Sequence, residues 1–382
     1  MRDFLWKGQA AKKGGYKVAW RKITCPLSEG GLGIKSIGDW NSAALAKHLW
    51  RIIQPDSNSL WVNWMKENVL KDKPFWAIFA PQDSSWTWHK ILSLRDKFKN
   101  CIKYLIGNGQ LVFLWYDFWL PCGPLVNLGE LIQPVFDAHR SAKVAAIIRH
   151  GRWRWPWSSV GYLRAIKHLI LDLPPPNYTE QDKVLWSLSS SGTFTIRSAW
   201  EHIRHRGEQV NWKELVWFQN KIPKHAFFLW LAFQGKLGTK DRGFNTSLNT
   251  NCLLCDSHIE SHDHLFFKCI VCTQIWNFIQ QKCGLQSPRL DWIGMIEWLA
   301  QHWKGRSLEM DIRKLYLAAT IYIIWQERNS RLHNNRANSS DFLCDKVLRI
   351  IRLKLSTFHR IPSTGENRQI QMCWNLPSTI FE

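Results

Sequence analysis

Acidic residues are scarce in this chain relative to basic ones. Thirty aspartates and glutamates stand against 51 lysines and arginines, and no two acidic residues are adjacent anywhere. A two-metal reaction needs carboxylates gathered to hold ions roughly 3.5–4 Å apart, and no acidic spacing here offers such a cluster. Long apolar runs are missing as well. The longest, Leu315 to Trp325, is well short of the roughly 20 residues of a membrane-spanning helix, so no membrane partner is expected. Met1 to Gly15 hold no apolar signal core. Ten cysteines in 382 residues are too sparse for a disulfide framework. A soluble protein of a reducing compartment, nuclear or cytoplasmic, is the expectation. Gly30-Gly31-Leu32-Gly33 lacks the Lys-Ser/Thr that a phosphate loop requires, and reads as a turn.

What is present is positive charge and tryptophan. The net charge is +21, and a charge of that size keeps a protein soluble while recruiting polyanions. Lys7, Lys12, Lys13, Lys17, Arg21 and Lys22 cluster near the start, Arg149, Arg152 and Arg154 in the middle, and Arg349, Arg352 and Lys354 near the end. Lys12, Lys13, Lys17, Arg21, Lys22, Arg152 and Arg154 are the candidate phosphate contacts, with RNA or DNA as the expected partner. A solvated basic face is the competing explanation of any one cluster. Most of the 25 tryptophans, the helix-spaced Trp61 and Trp64 among them, are expected in cores, where a large apolar body is buried and one N–H finds an acceptor. Any left exposed can stack on bases.

The sharpest motif is Cys252-Leu253-Leu254-Cys255 with His264 and Cys269, a C-x2-C-x8-H-x4-C spacing. Three thiolates and an imidazole form a standard structural zinc set. The two residues between the first cysteines let a tight turn aim both sulfurs at one ion. Leu265-Phe266-Phe267 places apolar side chains between the last two ligands, where they can anchor the knuckle to a core. Zn2+ is the expected metal. Buried thiols beside a histidine by chance are the alternative. His258 and His262 are expected to be solvated loop residues, and Cys272, one turn along a helix, a core thiol.

Elsewhere the periodicities are local. Asn41–Ile53 has the apolar spacing of an amphipathic helix capped by Asn41 or Ser42, and Ser85–Lys97 reads as another. Asn-Gly at 108–109 between apolar runs 102–106 and 111–115 predicts a hairpin, and 183–188 with 193–196 a second. Asp117 is expected to bond nearby backbone, as short carboxylates readily do, and not to serve as a catalytic acid. A helix is expected over Ala142–Ile148, then a break at Pro174-Pro175-Pro176. Pro223 opens a helix, and further helices follow around 273–281, 292–303, 311–332 and 341–358, with an irregular tail after Pro362.

The order of these motifs is recognisable. Phe4-Leu5-Trp6, Lys17-Val18-Ala19-Trp20, Gly107-Asn108-Gly109, Trp115-Tyr116-Asp117-Phe118-Trp119, Gly192-Thr193-Phe194-Thr195-Ile196 and Ile222-Pro223-Lys224 resemble the C-terminal part of plant LINE-type (non-LTR) retrotransposon reverse transcriptases. The segment holding Cys252, Cys255, His264 and Cys269 resembles their zinc-binding domain, and Trp325-Gln326-Glu327-Arg328-Asn329 resembles the helix that follows it. The resemblance implies a region that holds RNA template or target DNA. The Tyr-Ala-Asp-Asp type motif of the polymerase palm is absent, as are endonuclease and ribonuclease H signatures, so a fragment without enzymatic activity is the expectation. An accessory role beside a separate palm-containing reverse-transcriptase protein, and an interaction scaffold or decayed fragment with a purely structural zinc, are the rivals. The expected class is α+β, predominantly helical, with short hairpins and a Cys3His knuckle among helices. The expected segments are a post-palm helical stretch (1–80), a Trp-rich hairpin module (81–175), the zinc-binding domain (176–285), C-terminal helices (286–361) and a tail (362–382).

Overall fold

The computed structural model describes residues 18–382 except 56, 129–138, 155–166, 169, 171, 243–248, 284–287 and 289. The expected class holds: the structure is 53% helical, and among the described residues the strands form only short antiparallel pairs. By packing, the chain divides into two units, one of residues 35–205 and one of residues 1–34 with 206–382.

The first unit is built on α1 (Ile37–Ile53), which buries Ala43, Ala46, Leu49 and Ile52 along one stripe. It starts earlier than expected, and Ser36, not Asn41 or Ser42, precedes it. Next come α2 (Leu60–Trp64), running on as a wider helical turn over Met65–Leu70, and α3 (Trp86–Ser93), whose cap Ser85 accepts the Trp88 N–H. Four short strands follow: β1 (Ile102–Leu105), β2 (Ile148–Arg149), β3 (Arg152–Trp153) and β4 (Lys183–Trp186). The unit closes with α4 (Ile196–Ile203), capped by Thr195 and packed on α1.

Neither expected hairpin forms. β1 pairs antiparallel with β4, Ile102 opposite Trp186, and 193–196 runs into α4. The cause is Asp182. Its buried carboxylate accepts the backbone N–H groups of Gly107, Gly109, Leu111 and Val112 at 2.8–3.4 Å, so the Asn-Gly loop wraps around an acceptor from far along the chain. Gly109 has φ +72°, and a Cβ there would lie 2.5 Å from the Ala145 nitrogen, so only glycine fits. The helix expected over Ala142–Ile148 is a single tight turn, Val144–Ile147, leading directly into β2.

The second unit contains α5 (Pro223–Phe233), α6 (Ile270–Cys283), α7 (Trp292–His302), α8 (Leu308–Asn334), α9 (Ser340–Leu355) and α10 (Gly365–Trp374). Pro223 opens α5 as expected, at the position where its missing N–H costs nothing. α8 is the axis. From Leu315 to Trp325 every residue is buried, which a helix shows only when neighbours enclose it. Here α5, α6, α9 and α10 do so, and each enclosed Leu or Ile contributes about 1.5–3 kcal/mol. The tail expected to be irregular instead forms α10, capped by Thr364, because Trp374 finds the ring of Tyr316 at 5.4 Å.

Candidate metal centre

The knuckle begins with backbone. The Cys252 N–H donates to the His258 carbonyl at 2.7 Å, and the Asp256 N–H returns to the Cys252 carbonyl at 2.8 Å. Asp256 adopts φ +55°, the left-handed conformation that aspartate tolerates better than most residues. The Leu254 N–H points at the Cys252 sulfur, 3.4 Å away. The result is a loop with both sulfurs on its inner side. The other pair of candidate ligands comes from the wider helical turn His264–Lys268. The Ser261 hydroxyl accepts the His264 N–H, and the Cys269 N–H closes on the His264 carbonyl at 2.7 Å. Leu265 and Phe266 are fully buried, so the turn is pinned by the apolar residues the sequence places between the two ligands.

All four candidate ligand atoms lie within 4.8 Å of one another. The Cys252 and Cys269 sulfurs are 3.9 Å apart, and the Cys255 sulfur is 3.3 Å from His264 Nε2. Tetrahedral zinc, with bonds of about 2.3 Å to sulfur and about 2.0–2.1 Å to nitrogen, sets these separations at about 3.8 Å and 3.6 Å. The residues fit such an ion. The bond to Cys269, with burial, pushes the Cys252 thiol far up. The bond from Cys252 pulls Cys269 down, yet Cys272 and burial outweigh it and push that thiol up to about 12. Burial and the neighbouring His258 lower His264, favouring the neutral imidazole that ligates metal. On their own these thiols stay protonated, and a bound metal ion would reverse that preference.

Charged side chains from α8 hold the loop. Glu260 is wholly buried and accepts from Arg328 of α8 at 2.8 Å and 3.2 Å, and from the Lys240 N–H at 3.0 Å. Arg331, one turn on, donates to the carbonyls of Leu253 and Leu254 between the first two cysteines, and is itself held by Glu327 at 2.9 Å. The Trp325-to-Asn329 motif therefore grips the knuckle from outside. Both residues sit in polar stretches, so nothing local in the sequence pairs Glu260 with Arg328.

The remaining expectations separate. Cys272 is buried on α6 as a core thiol, and His258 is exposed. His262 is not solvated: it is buried against Phe266 and Trp292, its Nε2 facing the Leu237 carbonyl at 2.9 Å. Arg21 is exposed and Lys22 half-buried in the knuckle unit, whereas Arg152 and Arg154 are exposed in the other. Lys12, Lys13 and Lys17 lie outside the described residues. Asp117 accepts the Phe113 N–H at 2.6 Å, the local backbone bond expected of it. Trp61 and Trp64 are exposed and not in the core.

The family model for zinc-binding in reverse transcriptase matches residues 194–276. A protein of Arabidopsis thaliana provisionally named a ribonuclease H protein is 27% identical over 365 residues, covering 89% of this chain and 56% of its own length. The chain thus spans little more than half of that relative. An uncharacterized mitochondrial protein of the same plant is 29% identical over 31% of this chain and 78% of its own length. No solved structure matches. The ribonuclease H name overturns the expectation that this chain is no enzyme. That expectation rested on missing acidic pairs and motifs, but carboxylates can converge from separate elements with no adjacency in sequence. Among the described residues no helix is long and apolar enough to cross a membrane. The likeness to retrotransposon reverse transcriptases read from the motif order holds, and residues 194–276 match the zinc-binding domain of reverse transcriptases.

Proposed function

We propose that this chain is a zinc-containing, nucleic-acid-binding region of a reverse-transcriptase-derived protein, holding RNA template or target DNA. The observation that carries it is the convergence of Cys252, Cys255, His264 and Cys269 on one point. Four protein ligands leave no open position for water, so the zinc cross-links the loop and does not itself react. Around it, Glu260, Arg328 and Arg331 orient the ligand-bearing backbone. Lys12, Lys13, Lys17, Arg21, Lys22, Arg152 and Arg154 are the proposed phosphate contacts, supported by the net charge of +21. Metal analysis of the purified chain tests the first half: one zinc per chain, lost in Cys255→Ala. Titration with labelled RNA and DNA tests the second, and binding that ignores salt would refute it.

The relative's ribonuclease H name favours a second reading, in which this chain contributes to hydrolysis of nucleic acid. Incubating the full chain with an RNA–DNA hybrid and Mg2+ tests it. Strand cleavage that survives mock purification supports it, and none at micromolar protein removes it.

A further inference from the structure

The outer face of α2 carries two exposed indoles on one helix, in a unit where Trp86 and Phe79 are also exposed. Trp88, Trp115, Trp119, Trp186 and Trp200 are buried there, yet Leu60, Trp61 and Trp64 are 88%, 37% and 55% exposed. The helix turns Val62, Met65 and Leu70 inward, so it has a proper core face, and its aromatics lie on the other side by choice of sequence. Positions three apart on a helix are surface neighbours, which sets the two indoles side by side. Trp61 is braced at a near right angle by His48 of α1, ring centroids 5.1 Å apart. His48 sits between the exposed Lys47 and Arg51, and both cations, after burial, lower its affinity for a proton. The patch is therefore aromatic with a positive border on α1. Glu67 and Asn68 are exposed farther along the α2 helix.

We propose that this face binds single-stranded nucleic acid, with unpaired bases stacked on Trp61 and Trp64 and phosphates held by Lys47 and Arg51. The inference rests on the nucleic-acid reading above and names a site for it. Stacking accepts any base through its π-face, and flanking cations track the backbone. Charge complementarity favours a polyanion as the occupant, because the exposed Lys47 and Arg51 lie beside His48, which braces Trp61, while the acidic Glu67 stands farther along the α2 helix. A duplex keeps its bases out of reach, so the face discriminates between single and double strands.

The test uses the full zinc-loaded chain and fluorescein-labelled 12-mers: single-stranded RNA, single-stranded DNA and duplex DNA. Trp61→Ala with Trp64→Ala should weaken single-strand binding roughly tenfold or more, the loss of two base stacks, and leave duplex binding within about twofold. Both side chains are exposed, so the circular dichroism spectrum should not change. Lys47→Gln with Arg51→Gln should make the single-strand log–log salt slope about 1.4 shallower, at about 0.7 per phosphate. If the wild-type chain binds none of the probes, the nucleic-acid reading itself fails. If it binds and the tryptophan variant matches it on single strands, or loses duplex binding equally, this face is overturned while that reading stands. A variant that binds RNA normally but changes its mass in light scattering would mark the face as a protein contact, and also overturn the proposal.

Discussion

Replacing Arg328 by methionine should destabilise the knuckle unit more than any surface change. The guanidinium is 4% exposed and Glu260 is 0% exposed. Without Arg328, the carboxylate keeps only the Lys240 N–H at 3.0 Å and the Leu253 N–H at 3.5 Å, leaving a buried charge with no counter-ion. Breaking a buried pair on one side costs about 3–5 kcal/mol. For a unit of this size each kcal/mol moves the melting point by about 2–4 °C, so a fall of roughly 6–20 °C is expected. The companion variant, Glu260→Leu with Arg328→Met, removes both charges and should recover most of the loss, since apolar replacement of a buried pair is often close to neutral. The assay is thermal denaturation of the zinc-saturated chain followed by circular dichroism, repeated with a chelator. Zinc should also leave Arg328→Met faster than wild type, because the loop between Cys255 and His264 loses its clamp. A single variant melting within about 2 °C of wild type, or a double variant as unstable as the single, would refute the uncompensated-charge reasoning.

Other outcomes follow from the same geometry. Cys272→Ala should keep its zinc, whereas Cys255→Ala should lose it and become protease-sensitive near the knuckle; equal metal content in the two would exclude the ligand set. Burial raises Asp117 from its ordinary 3.8 to about 7, so the folded protein holds an extra proton between about pH 4 and 7. Its contribution to stability is then full below pH 4 and lost as pH rises through 7. Asp117→Asn should flatten that slope in urea midpoints measured across the window, and identical slopes would show Asp117 ionised in the folded chain. Arg152→Gln with Arg154→Gln should make the salt dependence of RNA binding shallower by about 1.4 without touching zinc content; an unchanged slope would free those residues from phosphate contact.

The parts legible in the sequence were those fixed over short stretches. Pro223 marks the start of α5, the apolar run from Leu315 to Trp325 marks the middle of α8, and the Cys252-to-Cys269 spacing marks the knuckle, because each depends on neighbours close in sequence. What escaped was set by distant partners. The Asn-Gly turn signal at 108–109 is locally sound, but four N–H groups aimed at Asp182 outweigh a two-residue turn, and β1 goes to β4. The Glu260–Arg328 pair joins residues 68 apart, and nothing in either stretch names the other. Trp61 and Trp64 look like core by composition alone, since helical spacing does not say which face the rest of the fold will cover. His262 likewise reads as loop until Trp292 packs over it.

The packing of α1 against α4 sets a timetable for synthesis. The two helices are about 140 residues apart in the chain, and although α1 also packs on α2 and α3, its most extensive packing partner is missing until α4 has left the ribosome. At about 5–20 residues per second that wait is on the order of 10–30 s. For that interval an apolar helix with a positive border is only partly covered, within reach of chaperones and of any polyanion nearby. A nascent chain paused before Ile196 should therefore be captured by holding chaperones far more than one released after Ile203, so the short helix α4 decides when this half of the molecule becomes safe from aggregation.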